Sequence, residues 1–174
     1  MTGVQTCALP ICFPVTIARM MNRLRKILGR INFAYLKESN FFLWLYGSYL
    51  TIRYVDDFGV FPAIQFNSYV KVKISKSKNS KLHCFGPLKF ESWLGKSTPS
   101  TITLLGNSIM EVNGEFIIGN NVCVLVADKG KLILGGRKFE SGSGITANSI
   151  VMAMRYVEIG FDCIIAWDTY GTVS

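Results

Sequence analysis

One histidine, His83, stands in a chain of 174 residues. Imidazole titrates near neutrality and often serves as a general base. His83 lies upstream of the aliphatic–glycine pattern described below, and a surface or loop histidine is the simpler reading. The acidic groupings near apolar stretches are Asp56-Asp57 and the pair Asp162 and Asp168. Two carboxylates can divide acid and base work in glycoside hydrolysis. Asp56-Asp57 precedes Gly59 and reads more simply as a turn. Asp162 follows Gly160 at an exposed corner position, and Asp168 alone keeps a functional reading. Gly135-Gly136 and Ser141-Gly142-Ser143-Gly144 could cradle a phosphate. The chain matches neither G-x-x-x-x-G-K-[ST] nor a strand–G-x-G-x-x-G–helix, so a flexible corner or loop is expected there. Five cysteines form no C-x-x-C pair, which points away from zinc and redox motifs. Buried free thiols in a reducing compartment are expected, and no metal. Met152, Met154 and Tyr156 alternate with Val151, Ala153 and Arg155, which strand periodicity explains without a ligand.

The elements that hold these groups must come from an apolar chain. Hydrophobic residues make up 49% and charged residues 17%, which excludes disorder and allows one domain with a real core. The net charge is +8, gathered in Arg19, Arg23, Arg25, Lys26 and Arg30 and again from Lys71 to Lys81. Nucleic acid is not the expected partner, because aromatics are not interleaved with these charges and no reading motif is present. The most apolar stretch, Phe41 to Leu50, falls well short of the roughly 20 residues that span a bilayer. A core helix, an interfacial segment and a partner surface each fit it.

Ile17, Met20, Met21, Leu24, Ile27, Leu28 and Ile31 recur at helical spacing and form one stripe. Arg19, Arg23, Lys26 and Arg30 fall opposite, so residues 17–31 read as a basic amphipathic helix with Gly29 near its end. Attachment to an anionic membrane surface is one reading. A solvated cationic face on a helix packed against its own domain is the commoner one. Tyr69 to Ser75 alternates as a half-buried strand, and Lys76–Lys81 (KSKNSK) reads as a polar turn.

After about Ile102 helical spacing ends. An aliphatic–glycine step recurs at Leu105-Gly106, Ile118-Gly119, Leu134-Gly135 and Ile159-Gly160. Val122 and Val124 follow Ile118, and Cys163 and Ile165 follow Ile159. A triangular solenoid accounts for this. Each face is one short strand with few inward aliphatic positions, and Gly or Asn turns the corners. Turns must stack, since one alone cannot bury its apolar side.

Ile118–Cys123 (IGNNVC) and Ile159–Ile164 (IGFDCI) resemble the [Leu/Ile/Val]-Gly-x-x-x-x unit of hexapeptide-repeat acyltransferases. Val157 to Asp168 (VEIGFDCIIAWD) is similar to the segment ahead of the active site in the branch that acylates sugars for surface polysaccharides. The resemblance covers roughly Ala63 to Asp168 and is firmest over Gly114 to Asp168. It implies a mainly β fold, a left-handed parallel β-helix preceded by a short α-helical N-terminal region. It implies transfer of an acetyl or similar acyl group from acyl-CoA to a sugar hydroxyl, with acetyl-CoA as co-substrate. A sugar or glycan acceptor, a homotrimer and a cytoplasmic location, at the inner face of the membrane if residues 17–31 attach there, follow from the same likeness. Asp168 would stand near the acceptor pocket. Trp167 would stack on a sugar face, or cover the solenoid end. The departures are Lys138 and Glu140 at positions expected to face inward, and glycine steps 13, 16 and 25 residues apart where multiples of six are ideal.

The family's general base is a histidine soon after such a Trp-Asp pair, and here only Thr169–Ser174 follow. The resemblance therefore implies a truncated chain, inactive by itself, with no catalytic residue assigned. Met1–Ile11 (MTGVQTCALPI) resembles a translated sequencing adapter and is set aside, which leaves four cysteines. The expected organisation is residues 1–11 non-native, 12–58 helical with the basic helix, 59–101 a β-rich lead-in, and 102–174 an incomplete β-helix. A non-catalytic solenoid used for binding or scaffolding is the competing function.

Overall fold

A computed structural model describes residues 21, 22, 24–92, 98–135, 143–166, 168 and 170–173. The chain forms two compact units, Met1–Ile31 and Asn32–Ser174. In the first, residues 21 and 22 are helical, as are 24–28 (α1), and the helix ends in a turn at Gly29 and Arg30. Gly29 N–H still bonds back to the Arg25 carbonyl at 3.1 Å. Met21, Leu24 and Leu28 are exposed, as are Arg25 and Arg30. The expected helix is present over these residues, while 17–20 and 23 lie outside the described ones.

The second unit opens with α2 (Phe33–Glu38) and α3 (Phe41–Tyr54). Each starts at an asparagine. Asn32 Oδ1 accepts from Tyr35 N and Asn40 Oδ1 from Phe42 N, which satisfies amides the helices cannot. Among the described residues fifteen short strands follow, from β1 (Asp57–Phe58) to β15 (Tyr170–Val173). They build three parallel sheets, each five strands deep, and each sheet takes every third strand. Face 1 holds β1, β4, β7, β10 and β13; face 2 holds β2, β5, β8, β11 and β14; face 3 holds β3, β6, β9, β12 and β15. Three strands make one circuit, and circuits stack, so the protein is a mainly β, parallel solenoid with short helices at its N-terminal side.

The core is the inside of the triangle. Strand side chains alternate, and the inward ones are buried in β6 through β10 and in β12. Inward residues stack in columns by register. On face 3, Ile102 lies under Val124 and Val151, and Leu104 under Val126 and Ala153. On face 2, the Phe66 and Phe90 rings stack at 5.4 Å. Each Val, Leu, Ile or Phe of these columns, almost wholly removed from water, contributes about 1.5–3 kcal/mol.

Register explains the uneven glycine spacing. Asp57 pairs with His83, Lys81 with Ile109, Ile109 with Lys131, and Lys131 with Tyr156. Circuits thus differ in length because their corners do. Ile118, Leu134 and Ile159 end strands on faces 2, 1 and 1, and all three are buried. Leu105 is a correction to the inward pattern: it follows β6 and is exposed. Cys163 is another, exposed rather than inward. Residues 59–101, expected as a lead-in, supply β2 to β5 and the start of β6, all in the same sheets. The strand expected over 69–75 is β3 (Val72–Lys76), with Ile74 inward.

The apolar stretch 41–50 closes one end. β2 (Ile64–Phe66) is the edge strand of face 2, and a bare edge invites pairing. α3 lies directly on it: a Cβ added to Gly47 would stand 2.3 Å from the Ile64 carbonyl oxygen. Thr51 Oγ1 accepts from Ala63 N at 3.1 Å and Ile64 N at 3.0 Å, and donates to Gly47 O at 2.8 Å. Tyr35 Oη accepts from Phe66 N at 2.7 Å and donates to Phe66 O at 3.1 Å. Two hydroxyls therefore satisfy edge backbone groups that another strand would otherwise take.

Candidate functional site

The corner between faces 2 and 3 is built from a repeated six-residue unit. Ile118, Ile145 and Ile165 are in register at the ends of β8, β11 and β14. From them run Ile118–Cys123 (IGNNVC), Ile145–Ile150 (ITANSI) and Ile165–Tyr170 (IAWDTY). The fourth residue of each, Asn121, Asn148 and Asp168, has φ of 58°, 56° and 55°. Asn and Asp tolerate this left-handed conformation better than other side chains. Asn121 Nδ2 donates to Asn148 Oδ1 at 2.8 Å, joining two rungs. Serines beneath the corners hold them from inside. Ser100 Oγ donates to Gly119 O at 2.6 Å and Ser149 Oγ to Ala166 O at 3.0 Å.

Asp168 is thus the third rung of a corner ladder, and it is exposed. Its carboxylate is free to meet solvent or a ligand. Trp167 lies outside the described residues, as do Lys138 and Glu140. Asp162 sits in the corner between β13 and β14, exposed, with φ 54°.

The other candidates are dispersed. Asp56 is committed to structure: its Oδ2 accepts from Leu82 N at 2.8 Å and pairs with Lys76 Nζ. Asp57 is not a turn residue, since β1 begins with it. His83 lies in β4, half-exposed, in register between Asp57 and Glu111. Its ring stacks on Phe85 at 6.1 Å, and its Nδ1 has no hydrogen-bond partner among the described residues. Among those residues no hydrogen bond at Nδ1 orients the imidazole as a base would need. Ser143 and Gly144 correct the loop expectation, because they belong to β11. Gly135 turns a corner with φ +80°, tight against Gly114, and 136–142 lie outside the described residues. Met154 and Tyr156 do not continue one strand with Met152: β12 ends at Ala153, and β13 starts at Tyr156 after a bend.

Cys84 is buried, and burial, with the Asp56 carboxylate nearby, pushes its thiol well above the ordinary range. Among the described residues no group of three or more His, Cys, Asp or Glu could hold a metal ion. A cavity of about 610 Å³ opens between α2, the start of α3 and the outer side of face 2. Its wall includes Asn32, Asn40, Gln65 and Asn67, and Lys89 and Glu115 form an ion pair of 2.7 Å there. The outward column from Lys89 runs through Ile117 and Gly144 to Ile164, roughly 14 Å at ordinary strand spacing. The cavity and the approach to Asp168 therefore share face 2. Sequence reading missed the cavity, because its residues come from a helix start and three circuits with no common spacing.

The chain matches no protein-family model, no curated protein and no solved structure.

Proposed function

We propose that the chain is part of a sugar O-acyltransferase of the hexapeptide-repeat type. The observation that carries this reading is the corner unit IGNNVC, ITANSI and IAWDTY, three in-register hexads that end in the Trp167-Asp168 stretch. In the proposed reaction a sugar hydroxyl attacks the acyl thioester carbonyl, a base takes the hydroxyl proton, and CoA leaves as the thiol. Asp168 would accept a hydrogen bond from the acceptor sugar, and Trp167 would stack on its face. The base is assigned to a histidine in the continuation of the frame, not to His83. No residue is assigned to CoA. The face 2 cavity falls within the size range of small-ligand sites and suits a further unit of a glycan acceptor.

Three further parts of the proposal rest on the family likeness: left-handed winding, a homotrimer and a cytoplasmic setting. Contact of residues 17–31 with the inner membrane face has its own support, since Met21, Leu24 and Leu28 are exposed beside Arg25 and Arg30. A binding or scaffold solenoid is the second reading. It is favoured by Asp168 occupying the same backbone conformation as Asn121 and Asn148, which accounts for the residue without a substrate.

Long-read sequencing of the locus through both ends of the frame tests the proposal. It should replace the first eleven codons and extend the corner unit into further circuits with a histidine soon after Asp168. A stop codon directly after Ser174 in the genome would leave the scaffold reading.

A further inference from the structure

Gln65 is the most buried polar side chain on the wall of the face 2 cavity. Its neighbours in β2, Ile64 and Phe66, go into the core, so Gln65 points to the outer side of the sheet. Even so it is only 1% exposed. Its Nε2 donates to Pro62 O at 3.0 Å, and no hydrogen bond among the described residues uses its Oε1. A carbonyl oxygen so far from bulk water calls for a partner, and the cavity is where one can stand.

The helix caps supply the opposite kind of group. Asn32 and Asn40 spend Oδ1 on Tyr35 N and Phe42 N, which leaves both Nδ2 donors without a partner among the described residues. Asn67 Nδ2 donates to Glu91 Oε2, so its Oδ1 remains an acceptor. Lys89 and Glu115 are the one cation and the one carboxylate of the wall, and they cancel in their ion pair. This set selects by chemistry. An anionic ligand would have to compete with Glu115 for Lys89. An apolar ligand would strand the amides of three side chains. An extended peptide would need a bare strand edge, but Thr51 and Tyr35 already serve the edge groups of β2. Hydroxyls both donate and accept, so a ring bearing several of them suits this wall. Leu43 and Pro87 add apolar surface for its C–H groups.

We propose that the face 2 cavity holds an uncharged saccharide unit and disfavours acidic ones, with Asn32 and Asn40 donating through Nδ2 and Gln65 accepting through Oε1. This deepens the acyl-transfer reading, on which the unit's place in an acceptor glycan rests: the unit held here is not the one acylated. Binding in the cavity requires no transfer, so the two ideas fail separately.

The test is titration of the full chain, followed by saturation-transfer NMR, with two sets of trisaccharides. One set is neutral, built of glucose, galactose, mannose or N-acetylglucosamine; the other contains a uronic acid. At least one neutral trisaccharide should bind, and its uronate counterparts should bind about tenfold more weakly or not at all. N32D/N40D keeps an oxygen at each cap, where Asp serves as well as Asn, and removes both donors. Its urea midpoint should stay at or above the parent's, while affinity for the neutral glycan falls about tenfold or more. E115Q frees Lys89 at a partly exposed site and should raise affinity for uronate trisaccharides several-fold. Three results would each overturn the proposal: no neutral trisaccharide binds, N32D/N40D binds as the parent does, or uronates bind the parent as tightly as neutral glycans. Neutral binding that N32D/N40D abolishes, in a protein that transfers no acyl group, would keep the cavity assignment and remove the acyl-transfer reading.

Discussion

Asn121 and Asn148 turn the same corner of successive circuits, both with positive φ, and the amide of the first donates to that of the second at 2.8 Å. The corner therefore selects for side chains that accept the left-handed backbone and can bond along the stack. Asn148→Ala should lower stability by about 1–3 kcal/mol, from the φ cost and the lost bond together. Asn148→Gly should recover the φ part. Urea midpoints of the parent and the two variants decide this.

Asp168 allows its two readings to be separated. As a corner residue it should tolerate Asn or Gly with little change in stability, while Ala costs about 1–2 kcal/mol. As an acceptor-binding residue it should lose transfer activity or glycan affinity with Asn as well as with Ala. If D168N binds glycan and transfers at the parent rate, Asp168 serves only the corner.

The cap makes a sharper demand. Thr51 Oγ1 accepts from two buried amides, of Ala63 and Ile64. Thr51→Val keeps the shape and orphans both, at about 1–3 kcal/mol for each amide. Hydrogen exchange at Ala63 and Ile64 should rise first, ahead of exchange in β8 or β9. Uniform exchange across the solenoid would show that the cap is not a separate weak point.

A corner carboxylate gives a pH signature. Asp128 Oδ1 accepts from Asn107 N at 2.8 Å and Asn107 Nδ2 at 3.3 Å. These bonds, the backbone one foremost, hold its carboxyl below the ordinary value, against the smaller opposing effect of burial. A depressed folded value stabilises the fold above the unfolded carboxylate range, and that part is lost as pH falls through the folded value. Asp128→Asn should therefore lower stability at neutral pH, where the ionised carboxylate contributes, and converge on the parent in acid, which flattens the acid limb. An unaltered acid limb would remove Asp128 from the account of acid sensitivity.

Much of the solenoid can be read from Ile118, Leu134 and Ile159, buried aliphatics that each precede a corner glycine. Alternation in β6 through β10 is equally plain. The early circuits are not, because their corners use Ser77–Ser80 or Phe85–Pro87 and repeat no step. Nor is the Asn121–Asn148–Asp168 ladder, since its rungs stand 27 and then 20 residues apart. Unequal corner lengths hide a spatial repeat from any fixed period. Phe41–Leu50 was ambiguous for a physical reason: a helix apolar on both sides gives no stripe, and only the β2 edge tells which side is the inner one. Of the Trp167-Asp168 pair singled out in the sequence, Asp168 stands on the corner ladder and Trp167 lies outside the described residues, while the face 2 cavity had no signature at all.

The acyl-transfer claim is tested most directly with protein made from the whole reading frame of the locus, given labelled acetyl-CoA and a panel of polysaccharide repeat units. Label should arrive on a sugar hydroxyl as a base-labile ester, with free CoA released in equal amount, and D168N should slow it. Glycan binding with no ester formed on any acceptor, and no CoA released, would contradict the claim and leave a solenoid that binds without catalysis.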